Sequence, residues 1–169
     1  MRVIAKFGGT SLGSGDRINR AADSIARTVE AGHEVAVVAS AMGSTTDDLL
    51  GEIAFEADAS DRAEIVSMGE RTSVRMLKAA LSARGIEAMF LEPGAELWPI
   101  VTNDLGEVDV PETKARAQEL ATHLETAVPV ITGFLAQNHA GEITTLGRGG
   151  SDTTAVMLGS YTDADQVVI

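Results

Sequence analysis

Four stretches of this chain set a charged side chain among glycines or small hydroxyl residues, the combination that binds anions. In Lys6-Phe7-Gly8-Gly9-Thr10-Ser11 a lysine precedes a glycine pair. Two glycines let the backbone approach a phosphate and present N–H donors to it, while the lysine brings mobile charge. The lysine comes before the glycines, so this is not a Walker A loop. A tight turn beside an exposed strand end is the plainer alternative. Ser40-Ala41-Met42-Gly43-Ser44-Thr45-Thr46-Asp47 gathers hydroxyl donors, with Asp47 equally suited to cap a helix. Gly69-Glu70 lies inside a helix-period segment. A glycine there costs about 1 kcal/mol against alanine, which suggests close packing on a loop or ligand, against the plain alternative of a surface glutamate. Thr144-Thr145-Leu146-Gly147-Arg148-Gly149-Gly150-Ser151-Asp152-Thr153-Thr154-Ala155 surrounds an arginine with three glycines. That arginine can grip a carboxylate bidentately, and the helix start after it favours anions. The alternative is a flexible loop capped by Ser151.

These stretches need elements to hold them. Strand-like apolar runs alternate with helix-period segments, which predicts an α/β chain built as a three-layer α/β/α sandwich on a mostly parallel sheet. Strands are expected at Val3–Phe7, Glu34–Ala39, Glu87–Leu91, Val128–Thr132 and from Gln166 onward. Glu34–Ala39 is apolar on both faces and so buried between helices. Helices are expected from Asp16, near Leu49–Phe55, over Asp61–Arg84, from Asp109-Val110-Pro111, and over Thr153–Leu158. The long helix carries Ile65, Met68, Thr72, Met76, Leu77 and Leu81 and is expected to end at Gly85. Pro93–Asp109 reads as loop or short hairpin, and a loop through His139 leads to Ile143–Leu146. In such sheets ligands sit beyond the carboxyl ends of the strands, where Lys6-to-Ser11 and Ser40-to-Asp47 fall.

Composition narrows the function classes. The chain has 169 residues, about one domain, with 44% apolar residues and no cysteine. Disulfides and thiolate metal sites are thereby excluded. Neither a secretory signal nor an apolar run of about 18 residues is present, and a cytoplasmic protein without membrane contact is the expectation. Acidic residues number 25 against 13 basic ones, a net charge of −12. No nucleic-acid partner is expected, since phosphate backbones want a basic stripe. An anion site must then supply its own positive charge. The acidity reads either as an ordinary acidic domain or as a surface adapted to high salt; with lysine only at Lys6, Lys78 and Lys114, the second is favoured.

In this order, Lys6-to-Ser11, Ser40-to-Gly43 with Thr46-Asp47, Ser67-Met68-Gly69-Glu70, Thr132-Gly133-Phe134 and Leu146-to-Asp152 resemble the motifs of the aspartate kinases of the amino acid kinase family. The resemblance runs along essentially the whole chain, and Leu146-to-Asp152 is its most diagnostic stretch. It implies the amino acid kinase fold and phosphoryl transfer from ATP, carried with Mg2+, to the β-carboxylate of L-aspartate. The product would be 4-phospho-L-aspartate, the entry point to lysine, threonine and methionine synthesis.

By the same resemblance, Lys6 and the Gly8 and Gly9 amides would hold the transferring group, with Phe7, Thr10 and Ser11 in the same nucleotide-phosphate loop. Asp152 would organise Lys6. Arg148, with Gly149 beside it, would clamp the α-carboxylate, and Glu70 would pair with the ammonium. Ser40, Thr46 and Ser151 would give hydroxyl contacts, Phe134 would wall the pocket, and no metal ligand is assigned. A homo-oligomer is implied. Other kinases of the superfamily, or a non-catalytic binding subunit, are the alternatives. Because Gln166-to-Ile169 opens an apolar strand, the chain is expected to be the N-terminal part of a kinase domain. The nucleotide side and regulatory domains are then missing. Alone it should be weakly active or inactive.

Overall fold

The computed structural model describes residues 1–169 throughout. Alternating strands and helices place β1 (Arg2–Phe7), β2 (Glu34–Ala39), β3 (Ala88–Leu91), β5 (Val128–Thr132) and β8 (Gln166–Val168) in one sheet. Its order is β3-β5-β2-β1-β8, and every neighbouring pair is parallel. A second sheet joins β4 (Val101–Thr102), β6 (Leu135–Asn138) and β7 (Ile143–Thr145) in the order β4-β6-β7.

The strand alternation decides which side chain meets which layer. Along β2, Val35, Val37 and Ala39 pack with Ile18, Ala22 and Ile25 of α1 (Gly15–Glu30) and with Val74, Leu77 and Leu81 of α3 (Ala59–Ser82). Ala36 and Val38 face the other way, toward Ala117 and Leu120 of α4 (Val110–Ala121) and Ala155 and Leu158 of α5 (Gly150–Tyr161). The result is the expected three-layer sandwich. Fully buried side chains such as Leu77, Leu81, Leu120 and Leu158 each contribute roughly 1.5–3 kcal/mol by leaving water. Packing thus fixes the layers and leaves the sheet's carboxyl edge free for polar groups.

Helix starts are set by caps. Ser14, Asp58 and Asp109 accept from the amides of Arg17, Asp61 and Glu112, and Pro111 sits in the first turn of α4, where its missing N–H costs nothing.

Several expectations are corrected. The short helix α2 (Thr45–Glu52) begins before Asp47, so Asp47 lies in its first turn and does not cap it; Ser44 holds the cap position. Helix α5 starts at Gly150, earlier than Thr153, after Gly149 in the left-handed region at φ 71°. Strand β6 occupies Leu135–Asn138, where the sequence predicts loop before His139. Of the residues that mark α3 in sequence, Leu77 and Leu81 are buried but Met68, Thr72 and Met76 are exposed, while Ser67, Gly69, Glu70 and Ser73 are buried. Small and polar residues let α3 lie close to the neighbouring loop and strands, which hydrophobicity alone does not signal.

Candidate active site

At the carboxyl edge of the five-stranded sheet, the loops after β1, β2 and β5 and the loop before α5 meet residues of α2, α3 and α5 around a cavity of about 330 Å³. Lys6 is the last inward residue of β1, on the same side as Ile4, and therefore points toward α5. There its ammonium lies 2.8 Å from Asp152 Oδ1, in the first turn of α5. Arg148 lines the same cavity and pairs with no carboxylate of the chain. Neither the Gly8 nor the Gly9 amide donates to a backbone carbonyl, so both remain free for an anion. A larger depression of about 440 Å³ at the opposite sheet edge is lined by Gly32–Val35, Gly85–Glu87 and Leu124–Val128 and holds none of the motif residues.

Glu70 supplies the opposite charge. It is only 3% exposed. Thr46 Oγ1 donates to its Oε1 at 3.4 Å, while Oε2 is buried without a protein partner. Burial pushes its pKa up from the usual 4.5 to about 7, partly offset by backbone hydrogen bonds at Glu70 and Ala41 and by the Thr46 hydroxyl. A largely buried carboxylate at a cavity wall is a receptor for a cation.

Backbone proximity shapes the walls. A Cβ on Gly69 would lie 2.8 Å from Ala41 Cβ, and one on Gly9 2.9 Å from the carbonyls of Ala41 and Gly43. The glycine inside α3 is thus explained by the loop laid across it. Phe134 has φ 69°, a left-handed conformation that costs a non-glycine residue about 1–2 kcal/mol. Its amide donates to Thr154 Oγ1 at 3.2 Å, its carbonyl accepts from the Leu146 amide at 2.9 Å, and its ring lies over Gly150. These contacts hold the ring at the cavity wall.

Of the residues singled out in the sequence, Lys6, Gly9, Ser40, Thr46, Glu70, Phe134, Arg148, Gly149, Ser151 and Asp152 line this cavity together. Gly8 adjoins the Lys6 ammonium. Phe7, Thr10 and Ser11 do not join them. Strand alternation sends Phe7 to the α1 side, where it and Ser11 border a separate depression with Arg17 and Arg20. Thr10 is exposed, and its carbonyl accepts from Arg17 Nη1 at 2.5 Å. Ala41, Gly43, Gly147 and Gly150 also line the cavity. Their signal was present in the glycine-rich stretches, but small residues announce no chemistry of their own. Thr154, which fixes Phe134, was missed for a similar reason, since a threonine one turn into a helix is unremarkable in sequence.

The model of the amino acid kinase family matches residues 1–169. The chain belongs to that family. Within that family it is 35% identical over 175 residues to an aspartokinase of Geobacillus stearothermophilus, covering 97% of this chain and 40% of that one. It is similar in structure to the aspartate kinase of Synechocystis, with a TM-score of 0.77 and 34% identity over 98% of this chain and 27% of that one. It is also similar to E. coli aspartokinase III in complex with aspartate and ADP, with a TM-score of 0.83 and 26% identity over 99% of this chain and 48% of that one. The chain therefore spans about 40% of the length of the curated relatives it matches.

Proposed function

We propose that this chain carries the amino-acid and phosphoryl side of an aspartate kinase, which transfers the γ-phosphoryl group of MgATP to the β-carboxylate of L-aspartate. The reading rests on one observation above all. Lys6 paired to Asp152, the unpaired Arg148 and the buried, half-satisfied Glu70 converge on a single cavity. Its charges, two cations and one anion acceptor for a cation, are complementary to an amino acid bearing two carboxylates and one ammonium. The relatives named aspartokinase and the neighbour solved with aspartate and ADP support it.

Each group then has a role. Arg148 grips the α-carboxylate and Glu70 the ammonium, which leaves the β-carboxylate directed at Lys6. An oxygen of that carboxylate attacks the γ-phosphorus while the bond to the β,γ-bridging oxygen breaks and ADP departs. A carboxylate with a pKa near 4 is already ionised at neutral pH, so no general base is needed. Lys6 and the Gly8 and Gly9 amides neutralise charge on the transferring oxygens, and Asp152 holds Lys6 in place. Mg2+ would accompany the nucleotide and supply charge neutralisation to its phosphates, and no step above depends on a metal ligand from this chain. The product, 4-phospho-L-aspartate, would enter lysine, threonine and methionine synthesis.

Calorimetric titration tests the reading. L-aspartate should bind, L-asparagine and N-acetyl-L-aspartate should bind far more weakly, and Arg148→Ala and Glu70→Ala should each lose most of the affinity. A folded chain that takes up no L-aspartate would overturn it.

A further inference from the structure

Three buried side-chain oxygens in the chain have no hydrogen-bond partner: Glu70 Oε2, Ser73 Oγ and Thr132 Oγ1. They are not scattered. Glu70 and Ser73 are three apart on α3 and so share one face, the face that carries Val74 and Leu77 into the core. Thr132 alternates with Val128 and Val130, which pack in that same layer, so its hydroxyl is directed at α3.

Their heights also agree. Helix α3 runs from the carboxyl edge of the sheet back toward the start of β3, antiparallel to the strands. Glu70 stands at the level of Ala41, whose methyl adjoins Gly69, and Thr132 is in register with Ala39. Two strand residues are about 6.6 Å, and three helix residues about 4.5 Å in the same direction. Ser73 and Thr132 therefore sit at nearly one depth, beneath the carboxylate.

A buried hydroxyl with no partner costs about 1–3 kcal/mol, and three such groups converging from two elements are what a buried water, with its three or so hydrogen bonds, satisfies. We propose that Ser73 and Thr132 are positioning residues that hold Glu70 Oε2 through one shared, water-bridged hydrogen-bond network. Neither reaches the substrate cavity; both act through Glu70. Their effect on substrate rests on Glu70 being the partner of the ammonium, whereas the network itself does not.

The test follows the titration of Glu70 by carboxyl-selective NMR of the 169-residue chain. Lys6, Arg148 and Asp152, which share its cavity, and the exposed Asp47 and Asp48 of α2 are unchanged throughout. Donors to a carboxylate favour its charged form, so Ser73→Ala and the near-isosteric Thr132→Val should each raise the midpoint by about one unit. Thr132→Ser, which keeps the hydroxyl, should restore it. L-aspartate affinity at pH 7 should fall about fivefold in Ser73→Ala and Thr132→Val and return in Thr132→Ser. If the midpoint stays put in both variants while they remain folded, the network is refuted. If the midpoints move but the wild-type chain binds no aspartate, the network stands and the kinase reading fails.

Discussion

The ammonium of Lys6, at the end of the first strand, meets the carboxylate of Asp152, in the first turn of the last helix, at 2.8 Å. Lys6 is mostly covered whereas Asp152 is half exposed, so the pair adds little to stability. Its value lies in direction: it keeps a cation aimed into the cavity in a chain whose charges are otherwise mainly acidic.

Replacing Asp152 by asparagine should therefore leave the fold intact and aspartate binding little changed. Where the nucleotide side of the site is also present, turnover should drop by about 100-fold or more, the range seen when one preorganised electrostatic group is lost. A coupled ADP-release assay alongside aspartate titration separates the two effects.

Glu70 gives a pH signature with a defined sign. Its pKa is about 7 in the fold against 4.5 as the usual value, so between those limits the folded chain holds more proton than the unfolded one. Its contribution to stability is then greatest below pH 4.5, falls as the pH rises, and levels off above about 7. The total loss is on the order of 3 kcal/mol. Denaturant unfolding of wild type and Glu70→Gln at a series of pH values should show this slope only in the wild type. Aspartate affinity should move oppositely, strengthening as the pH passes 7 and Glu70 ionises.

Gly69→Ala reverses an ordinary expectation. In an exposed helix interior that change gains about 1 kcal/mol. Here the new methyl would meet Ala41 Cβ at 2.8 Å, and overpacking of this kind costs typically 1–3 kcal/mol. Thermal unfolding should show a lower Tm, with weaker aspartate binding because the loop carrying Ser40 and the start of α2 carrying Thr46 are displaced.

The net charge of −12 predicts a salt response. Screening of exposed carboxylates shortens the reach of their repulsion, so raising KCl from about 0.1 M to about 1 M should raise the Tm. A Tm that falls over this range would refute a surface adapted to high salt.

Much of the architecture was legible because it rests on periodicity. The apolar runs of Glu34–Ala39 and Val128–Thr132 are central strands, and Gly32 and Gly85 close the helices before them or after them as expected. The approach of Lys6 to Asp152 was legible only through motif order, since no local pattern brings such distant residues together. What failed had physical reasons. The buried face of α3 includes the small and polar Gly69 and Ser73 and leaves Met76 outside, which hydrophobic spacing does not announce. Phe7 and Ser11 adjoin the right residues in sequence, yet strand alternation and the turn carry them to the far side. Leu135–Asn138 was too short and too polar to be distinguished from the loop it follows.

The cavity takes Glu70 from a helix in one layer of the sandwich and Arg148 and Asp152 from the other layer. An occupant bonded to both sides is thus a bolt through the whole assembly, which neither half can shed without first releasing it. Amide hydrogens in α1 and α5, although remote from each other and most of them from the ligand, should slow their exchange together when aspartate is present.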